Sequence, residues 1–407
     1  MGQAVAAENA PAAASVAVVI AVCFAIAALE GYDIQALGVA APSMAPALHM
    51  PEAYIGWAGS LTMAGLIVGA VAGGWAADRI GRKPVLVASA ALFGLFTVMT
   101  AFAQTSEVLL VLRTLTGLGL GGAMPNMIAV GAEISRPERR ASTITTIFVG
   151  FPAGGAVASL ITLSVLAGVL PKSFDWRLVY LVGGIAPLLI APAAFAILPE
   201  TRPERTGERR DVLNVLLGEG RAAATLLLCL AFACTTILLY LMVGWLPTLV
   251  VGEGHTRIEG ALAALSFNVT GIAGGVAIGL AVDRFAMRRP MVASYAGLLV
   301  GIGVLAATPA FAAVLAFAGV AGFCAIGAQF SLYAVSPIYY PKSARALGVG
   351  AAVGAGRVGS IIGPSLGGIL RGAHASSSQV LAVTLPVILL GGAAAVALSY
   401  VGKANQS

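Results

Sequence analysis

The chain has 407 residues, of which 59% are hydrophobic and only 10% charged, with a mean hydropathy of +0.96. This composition leaves too little polar surface for a water-soluble globule and excludes one. The net charge of +6 comes from basic residues spread over several short breaks, which excludes a nucleic-acid-binding patch on a folded domain. The composition therefore predicts a membrane protein.

Apolar runs long enough to cross about 30 Å of hydrocarbon as helices recur along the whole chain. In chain order they cover 14–40, 53–77, 85–104, 108–132, 141–170, 177–198, 222–251, 258–282, 290–308, 310–336, 344–370 and 379–402. Their continuous apolar character favours helices over barrel strands, which alternate. We predict an all-α membrane protein of twelve transmembrane helices in two pseudo-symmetric six-helix bundles, 1–198 and 221–407, joined by a cytoplasmic linker at 199–220.

The basic residues predict the orientation, because Lys and Arg are retained on the cytoplasmic side. Most of the 23 Lys and Arg fall in the breaks on one side, which places both termini in the cytoplasm. The segment before Ser15 has no Lys or Arg, so it lacks the basic region of a cleaved signal peptide. We therefore expect the first run to be a retained helix.

Four ionisable side chains lie inside apolar runs, where a charge costs several kcal/mol. Glu30 and Asp33 are three residues apart on one helical face, where mutual repulsion and burial both favour protonation of one of them. Arg113 and Arg357 keep their charge, and their forked donors suit a carboxylate. These four residues are our predicted transport site.

A charge balance links the four residues to a mechanism. Two ionised acids and two arginines sum to zero, so an anionic substrate makes the site negative unless a proton enters with it. We expect Arg357 to hold a substrate carboxylate, while Asp33, assisted by Glu30, exchanges a proton for an ion pair with Arg113. The alternative is a set of buried salt bridges that only fix the packing of the helices.

Glycines spaced four apart mark several of the runs. They are Gly65, Gly69 and Gly73; Gly271, Gly275 and Gly279; Gly359, Gly363 and Gly367; and the pair Gly150 and Gly154. Small residues at this spacing let helices approach closely in lipid. We expect helices two, five, eight and eleven to form the contacts between the halves, with static packing as the alternative.

Several motifs together carry a family resemblance. The segments 74–84 (GWAADRIGRKP), 113–126 and 198–201 (LPET), with the two-by-six layout, resemble the major facilitator superfamily over essentially the whole chain. The segments 30–33 (EGYD), 119–126 (GLGGAMPN), 245–247 (WLP), 332–334 (LYA) and 356–357 (GR) are similar to the bacterial aromatic acid:proton symporters, and most to the hydroxyphenylpropionate transporters among them. The chain departs from that group at Glu30, where the group has Asp, and at 285–287, which lacks the glycine of the matching first-half loop.

The resemblance implies proton-coupled uptake of an aromatic carboxylate, such as a hydroxyphenylpropionate or a benzoate, by alternating access across the bacterial inner membrane. The implied partners are the small aromatic acid, a proton and the lipid bilayer, with no nucleic acid, no cofactor and no metal; a monomer is expected. A proton-coupled antiporter that exports drugs or metabolites is the alternative, because 359–368 is similar to an antiporter signature. No metal-ligand spacing or nucleophile motif indicates an enzyme, and no pore loop indicates a channel.

An aromatic substrate also needs stacking surfaces and a few polar groups. The candidates on helices that line such cavities in the family are Arg357, Arg113, Asn126, Tyr240, Trp245, Asn268, Gln329 and Tyr333. Interfacial anchoring or amide bridges between helices are the alternative roles. The resemblance further implies a cytoplasmic gate made of Asp78, Arg79, Arg82, Lys83, Glu133 and Arg140, for which simple retention of basic loops is the alternative.

Overall fold

The computed structural model describes residues 16–135, 140–171, 173, 175–200, 216–218, 220–285, 287–341 and 345–401. Over these residues the chain forms twelve long helices. They are α1 Val16–Ala47, α2 Glu52–Ile80, α3 Arg82–Thr100, α4 Ser106–Ile134, α5 Arg140–Leu166, α6 Trp176–Ile197, α7 Ala222–Gly252, α8 Arg257–Phe285, α9 Arg288–Ala307, α10 Phe311–Val335, α11 Arg345–Gly372 and α12 Ser377–Leu398. A short 3-10 helix, Ser336–Tyr339, follows α10. The prediction of twelve helices is confirmed.

Eleven of the helices in the described chain are long and apolar enough to cross a membrane. The exception is α11, which carries Arg345, Arg357 and Arg371 as well as many glycines. This helix packs against α7 and α2, so protein covers much of its polar surface. The first run extends further than the predicted end at residue 40, because α1 continues through Pro42 and Pro46 to Ala47.

The two halves repeat one packing pattern. In the first half α1 packs on α5 and α6, α2 on α4, and α3 on α4 and α6. The second half has the same contacts between helices whose labels are six higher. There α7 packs on α11 and α12, α8 on α10, and α9 on α10 and α12. The two pseudo-symmetric bundles are therefore present, while most of the predicted linker at 199–220 lies outside the described residues. The bundle boundaries remain a prediction.

Between the halves, α2 packs on α11, α5 on α8, and α1 on α7. The prediction that helices two, five, eight and eleven join the halves is confirmed. The glycine triplets do not make these contacts, and that part of the prediction is wrong. Gly65 and Gly69 pack on α4, while Gly359 and Gly363 pack on α7, all within one half. Each helix has two packed faces, and the glycine spacing marks the face turned toward its own bundle.

Other small residues bring the halves together, at one end of the molecule. We call this the His49 end, where α1 meets α2, and we call the opposite end, where α2 meets α3, the Gly81 end. Gly56 lies against the backbone of Pro364 and Gly368, and Gly38 lies against the carbonyl of Val243. A side chain at either glycine would overlap these backbone atoms, so the His49 end is closed by direct helix contact.

The segment 74–84, which we expected to be a loop, is helical except at Gly81. Gly81 has a φ of +95°, and a Cβ there would collide with the carboxyl group of Glu200. The positive φ favours glycine here, since L residues rarely adopt this backbone conformation, whereas the flexible Glu200 side chain could move aside. The turn between α2 and α3 is therefore a single residue.

Candidate transport site

Asp33 and Arg113 form a buried bidentate ion pair. Nη1 of Arg113 donates to Oδ1 of Asp33 at 3.0 Å, and Nη2 donates to Oδ2 at 2.7 Å. Thr97 on α3 donates a third hydrogen bond to Oδ1 at 2.6 Å. Both charged side chains are almost completely buried, at 0% and 1% exposure. This geometry links α1, α3 and α4 and satisfies a carboxylate that would otherwise be costly to bury.

Glu30 lies one turn before Asp33 on α1 and has a different environment. Its side chain is completely buried. No hydrogen-bond donor in the described part of the chain reaches either of its carboxyl oxygens. The guanidinium of Arg357 and the carboxylate of Asp33 are the charges that act on it. A buried carboxylate without a donor carries a large desolvation penalty, whereas its protonated form carries much less.

Arg357 on α11 lines a cavity of about 60 Å³ near the middle of the molecule. The cavity walls come from both halves and are largely aromatic and apolar. They comprise Met124, Phe148, Phe151, Thr236, Leu239, Tyr240, Gln329, Phe330, Tyr333, Val353, Gly356 and Arg357. Nη2 of Arg357 lies 3.0 Å from the sulfur of Met124, a weak acceptor, and the guanidinium also has a side-chain hydrogen bond with Tyr240, which leaves part of its fork of donors for another partner.

A second small cavity lies beside the ion pair. Its walls include Arg113, Ile34 and Tyr240. Tyr240 also lines the Arg357 cavity, so one side chain separates the space beside Arg357 from the space beside Arg113. Of the four intramembrane charges, Arg357 and Arg113 therefore each line one of these cavities, whereas Glu30 and Asp33 line neither.

Three of the residues that we expected to bind substrate line the Arg357 cavity: Tyr240, Gln329 and Tyr333. Gln329 accepts a long hydrogen bond from Thr236 at 3.4 Å. Arg113, also expected to bind substrate, has both terminal nitrogens bound to Asp33. It is therefore occupied in this conformation.

The other three expected residues have structural partners instead. Asn126 donates to the carbonyl of Gly122 in its own helix at 2.7 Å. Trp245 is completely buried and donates to the carbonyl of Pro364 at 3.0 Å. Asn268 donates to Gln35 at 2.9 Å. None of the three lines either central cavity, and their binding of substrate stays a prediction.

The sequence profile of the Major Facilitator Superfamily matches residues 23–336. The chain belongs to the major facilitator superfamily. It is a multi-pass membrane transporter and not an enzyme.

Relatives of this transporter are aromatic acid carriers. The 3-(3-hydroxy-phenyl)propionate transporter of Escherichia coli is 35% identical over 380 residues, covering 92% of each chain. The 4-hydroxybenzoate transporter PcaK of Pseudomonas aeruginosa is 33% identical over 91% of this chain and 90% of its own. The gallate transporter of Pseudomonas putida is 33% identical over 89% of this chain and 87% of its own. The resemblance inferred from the motifs is thus confirmed.

Solved structures agree with the fold of this major facilitator. The inward open xylose transporter XylE of E. coli has a TM-score of 0.76 at 15% identity, covering 96% of this chain and 97% of its own. A bacterial homolog of the human lysosomal transporter Spinster has a TM-score of 0.75 at 16% identity, covering 94% of this chain and 97% of its own. At these identities the likeness concerns the fold alone.

The predicted gate residues of the transporter lie at the Gly81 end. Arg82 forms an ion pair with Glu133, joining α3 to α4. Arg79 lies over the ring of Trp75 at 3.5 Å, and Lys83 lies over a second aromatic ring, 4.7 Å from its centroid. The contacts shown here join helices of the first half, so they do not cross to the second. Asp78 is exposed, the side chain of Arg140 lies outside the described residues, and the gating role stays a prediction.

Polar contacts that the sequence did not reveal cross between the halves at the His49 end of the transporter. Arg371 at the end of α11 donates to Glu52 at the start of α2, at 2.8 Å. Ser60 donates to the carbonyl of Ile361 at 2.6 Å, and its hydroxyl lies 2.6 Å from that of Ser365. These contacts reinforce the closed His49 end.

Two further residues of the central region were missed. Gln35 accepts a hydrogen bond from the amide of Asn268 and donates one to the carbonyl of Val243 at 3.1 Å. These two bonds join α1 to α7 and α8. As a buried amide two residues after Asp33, it carried a sequence signal that could have identified it. Phe148 on α5 carried no such sequence signal, because a buried phenylalanine in an apolar run cannot be distinguished by sequence from a phenylalanine that faces lipid.

Proposed function

We propose that this protein is a proton-coupled symporter that takes up an aromatic carboxylate across the bacterial inner membrane by alternating access, with both termini cytoplasmic. The observation that carries the proposal is the placement of Arg357 in a cavity with aromatic walls contributed by both halves. The relatives named for hydroxyphenylpropionate, hydroxybenzoate and gallate support an aromatic acid as the substrate.

The substrate carboxylate binds Arg357 in this proposal. The guanidinium has a weak sulfur contact and a hydrogen bond with Tyr240, and its planar fork of donors matches a carboxylate. The aromatic ring of the substrate then lies among Tyr240, Tyr333 and the apolar walls, where ring stacking is favourable. The amide of Gln329 is placed to bind a ring hydroxyl. An exporter of cationic drugs would need an acid here, and the charged residue of the described lining is Arg357.

The proton belongs to Glu30 rather than to Asp33 in the proposal, which changes our expectation from the sequence. Asp33 already accepts two hydrogen bonds from Arg113 and one from Thr97, so its ionised form is fully satisfied. Glu30 is equally buried but has no donor in the part of the chain that is described. The protonated form of Glu30 therefore suits this conformation.

Charge balance then couples the two solutes. Asp33 and Arg113 cancel each other, and Arg357 beside a protonated Glu30 leaves one positive charge for the substrate carboxylate. When the substrate leaves, loss of the proton lets ionised Glu30 neutralise Arg357 instead. The substrate carboxylate and ionised Glu30 thus compete for the positive charge of Arg357. Protonation of Glu30 therefore favours binding of the substrate, and binding of the substrate favours protonation of Glu30.

The experiment compares Glu30→Gln with the parent protein in proteoliposomes. Glutamine mimics the protonated acid, so exchange of radiolabelled 4-hydroxybenzoate across the membrane should survive while uptake driven by an imposed pH gradient disappears. Uptake by the parent should require the gradient. Gradient-driven accumulation by Glu30→Gln equal to that of the parent would contradict the role of Glu30, and absence of transport of any aromatic acid by the parent would contradict the function.

A further inference from the structure

Two cavities meet at a layer of aromatic rings between the halves. One is the Arg357 cavity of about 60 Å³. The other, of about 260 Å³, lies one helical turn nearer to the Gly81 end and is lined by Ile144, Thr145, Phe148, Phe330, Tyr333, Ala334 and Pro337. Phe148, Phe330 and Tyr333 line both, so these three rings form the wall between them.

The rings come from opposite halves of the transporter. Phe148 on α5 stacks on Tyr333 of α10, with ring centroids 5.4 Å apart and planes inclined by 25°. Phe330, also on α10, is 6.1 Å from Phe148 at a steeper angle. Phe232 on α7 meets Tyr333 edge to face at 5.1 Å, which fixes that ring from behind. Phe148 is thus the part of this layer that the first half contributes.

The helices that carry these rings do not pack closely against each other. Among the described helices, the close contacts between halves are α2 with α11, α5 with α8, and α1 with α7 and α8, and α5 with α10 is not one of them. The stack therefore spans a gap between the halves. At the His49 end, by contrast, backbone lies on backbone at Gly56 and Gly38. The His49 end is therefore closed by packed helices, whereas the side toward the Gly81 end is closed, at the level of the ring stack, by side chains alone.

The volumes of the two cavities indicate where an aromatic acid can fit. A volume of about 60 Å³ is well below the volume of about 150 Å³ of an engineered cavity that binds benzene. An aromatic acid does not fit beside Arg357 until the rings move, whereas the larger cavity has room for one ring system.

We propose that the Phe148–Tyr333 stack is a ring gate that closes the Arg357 cavity toward the Gly81 end. Rotation of Phe148 joins the two cavities without separating the helices. The gate itself is independent of the substrate; its use by an aromatic acid, whose own ring replaces Phe148 on Tyr333, rests on the proposed function.

The test measures access to the Arg357 cavity directly. Met124→Cys places a thiol on the cavity wall, and its rate of reaction with a small maleimide is measured in purified detergent-solubilised protein. The parent, with its native Cys23, Cys229, Cys234 and Cys324, supplies the background. Phe148→Ala should raise the rate about threefold to tenfold, as expected for loss of one aromatic pair. Phe148→Trp should lower it.

Phe151→Ala is the matched control, because Phe151 lies one turn away on α5 and lines the Arg357 cavity but not the larger one. Its labelling rate should stay near that of Met124→Cys alone. Equal rates for Phe148→Ala and Phe151→Ala would overturn the gate. If Phe148→Ala does not give a monodisperse protein, Phe148→Leu removes the ring and keeps the bulk. Failure of the parent to transport aromatic acids, with the labelling pattern intact, would refute the proposed function and leave the gate supported.

Discussion

Arg113 donates from both terminal nitrogens to the two carboxylate oxygens of Asp33, 80 residues earlier in the chain. The pair is sealed from solvent, so neither charge can be compensated by water if the other is removed. It links α1 to α4, and Thr97 extends the link to α3. The pair joins helices of the first half, and one turn earlier on α1 Glu30 has no hydrogen-bond donor among the described residues.

Asp33→Asn is expected to destabilise the protein strongly, because it leaves the Arg113 charge buried and unpaired. Breaking one partner of such a pair costs about 3–5 kcal/mol. Thermal unfolding in detergent should show a large drop in the midpoint, and the double variant Asp33→Asn with Arg113→Gln should recover part of it. Equal stability of Asp33→Asn and the parent would show that the pair contributes little.

Glu30→Gln, in contrast to Asp33→Asn, should change the pH dependence of transport and leave the stability of the protein unchanged. The side chain has no hydrogen-bond donor in the described structure, so replacing it by a neutral amide removes no bond to the acid. We expect the unfolding midpoint to be retained, while exchange of the aromatic acid loses its dependence on pH. In the parent, exchange should slow as pH rises, because fewer molecules carry the proton that substrate binding requires. A Glu30→Gln exchange profile that still falls with pH would assign the titration to another group.

Arg357→Lys tests the fork of donors rather than the charge. Lysine keeps the positive charge but cannot form the planar bidentate contact with a carboxylate. Charged hydrogen bonds contribute about 1.5–3 kcal/mol, so we expect 4-hydroxybenzoate to bind roughly tenfold to a hundredfold more weakly. Stabilisation of the purified protein against thermal unfolding at increasing ligand concentrations measures this. Arg345→Lys, at the start of the same helix, is the control and should bind as the parent does.

A double cysteine variant tests whether the His49 end must open. The hydroxyl groups of Ser60 and Ser365 lie 2.6 Å apart across the halves. Ser60→Cys with Ser365→Cys should form a disulfide under mild oxidation, since thiols at this spacing need only a small adjustment to bond at about 2.05 Å. We expect oxidation to stop transport and reduction to restore it, with each single variant unaffected. Transport that continues in the cross-linked protein would exclude alternating access through this end.

The sequence by itself determined the membrane class, the twelve helices and the position of each buried charge. Hydropathy and burial cost are properties of a residue and its neighbours along the chain, so Glu30, Asp33, Arg113 and Arg357 could be recognised without any knowledge of packing. The helices that join the halves were named correctly, but the glycine spacing used to name them marks the faces turned toward their own bundles.

Only the tertiary structure decided which partner each side chain meets. Asn268 carries the same amide whether it faces substrate or Gln35, and the face of α8 that turns toward α1 settles the choice. The glycine triplets likewise face their own bundles because each helix has two packed sides. Phe148 became part of a gate because a gap between α5 and α10 is bridged by rings, and no local pattern encodes the distance between helices from different halves.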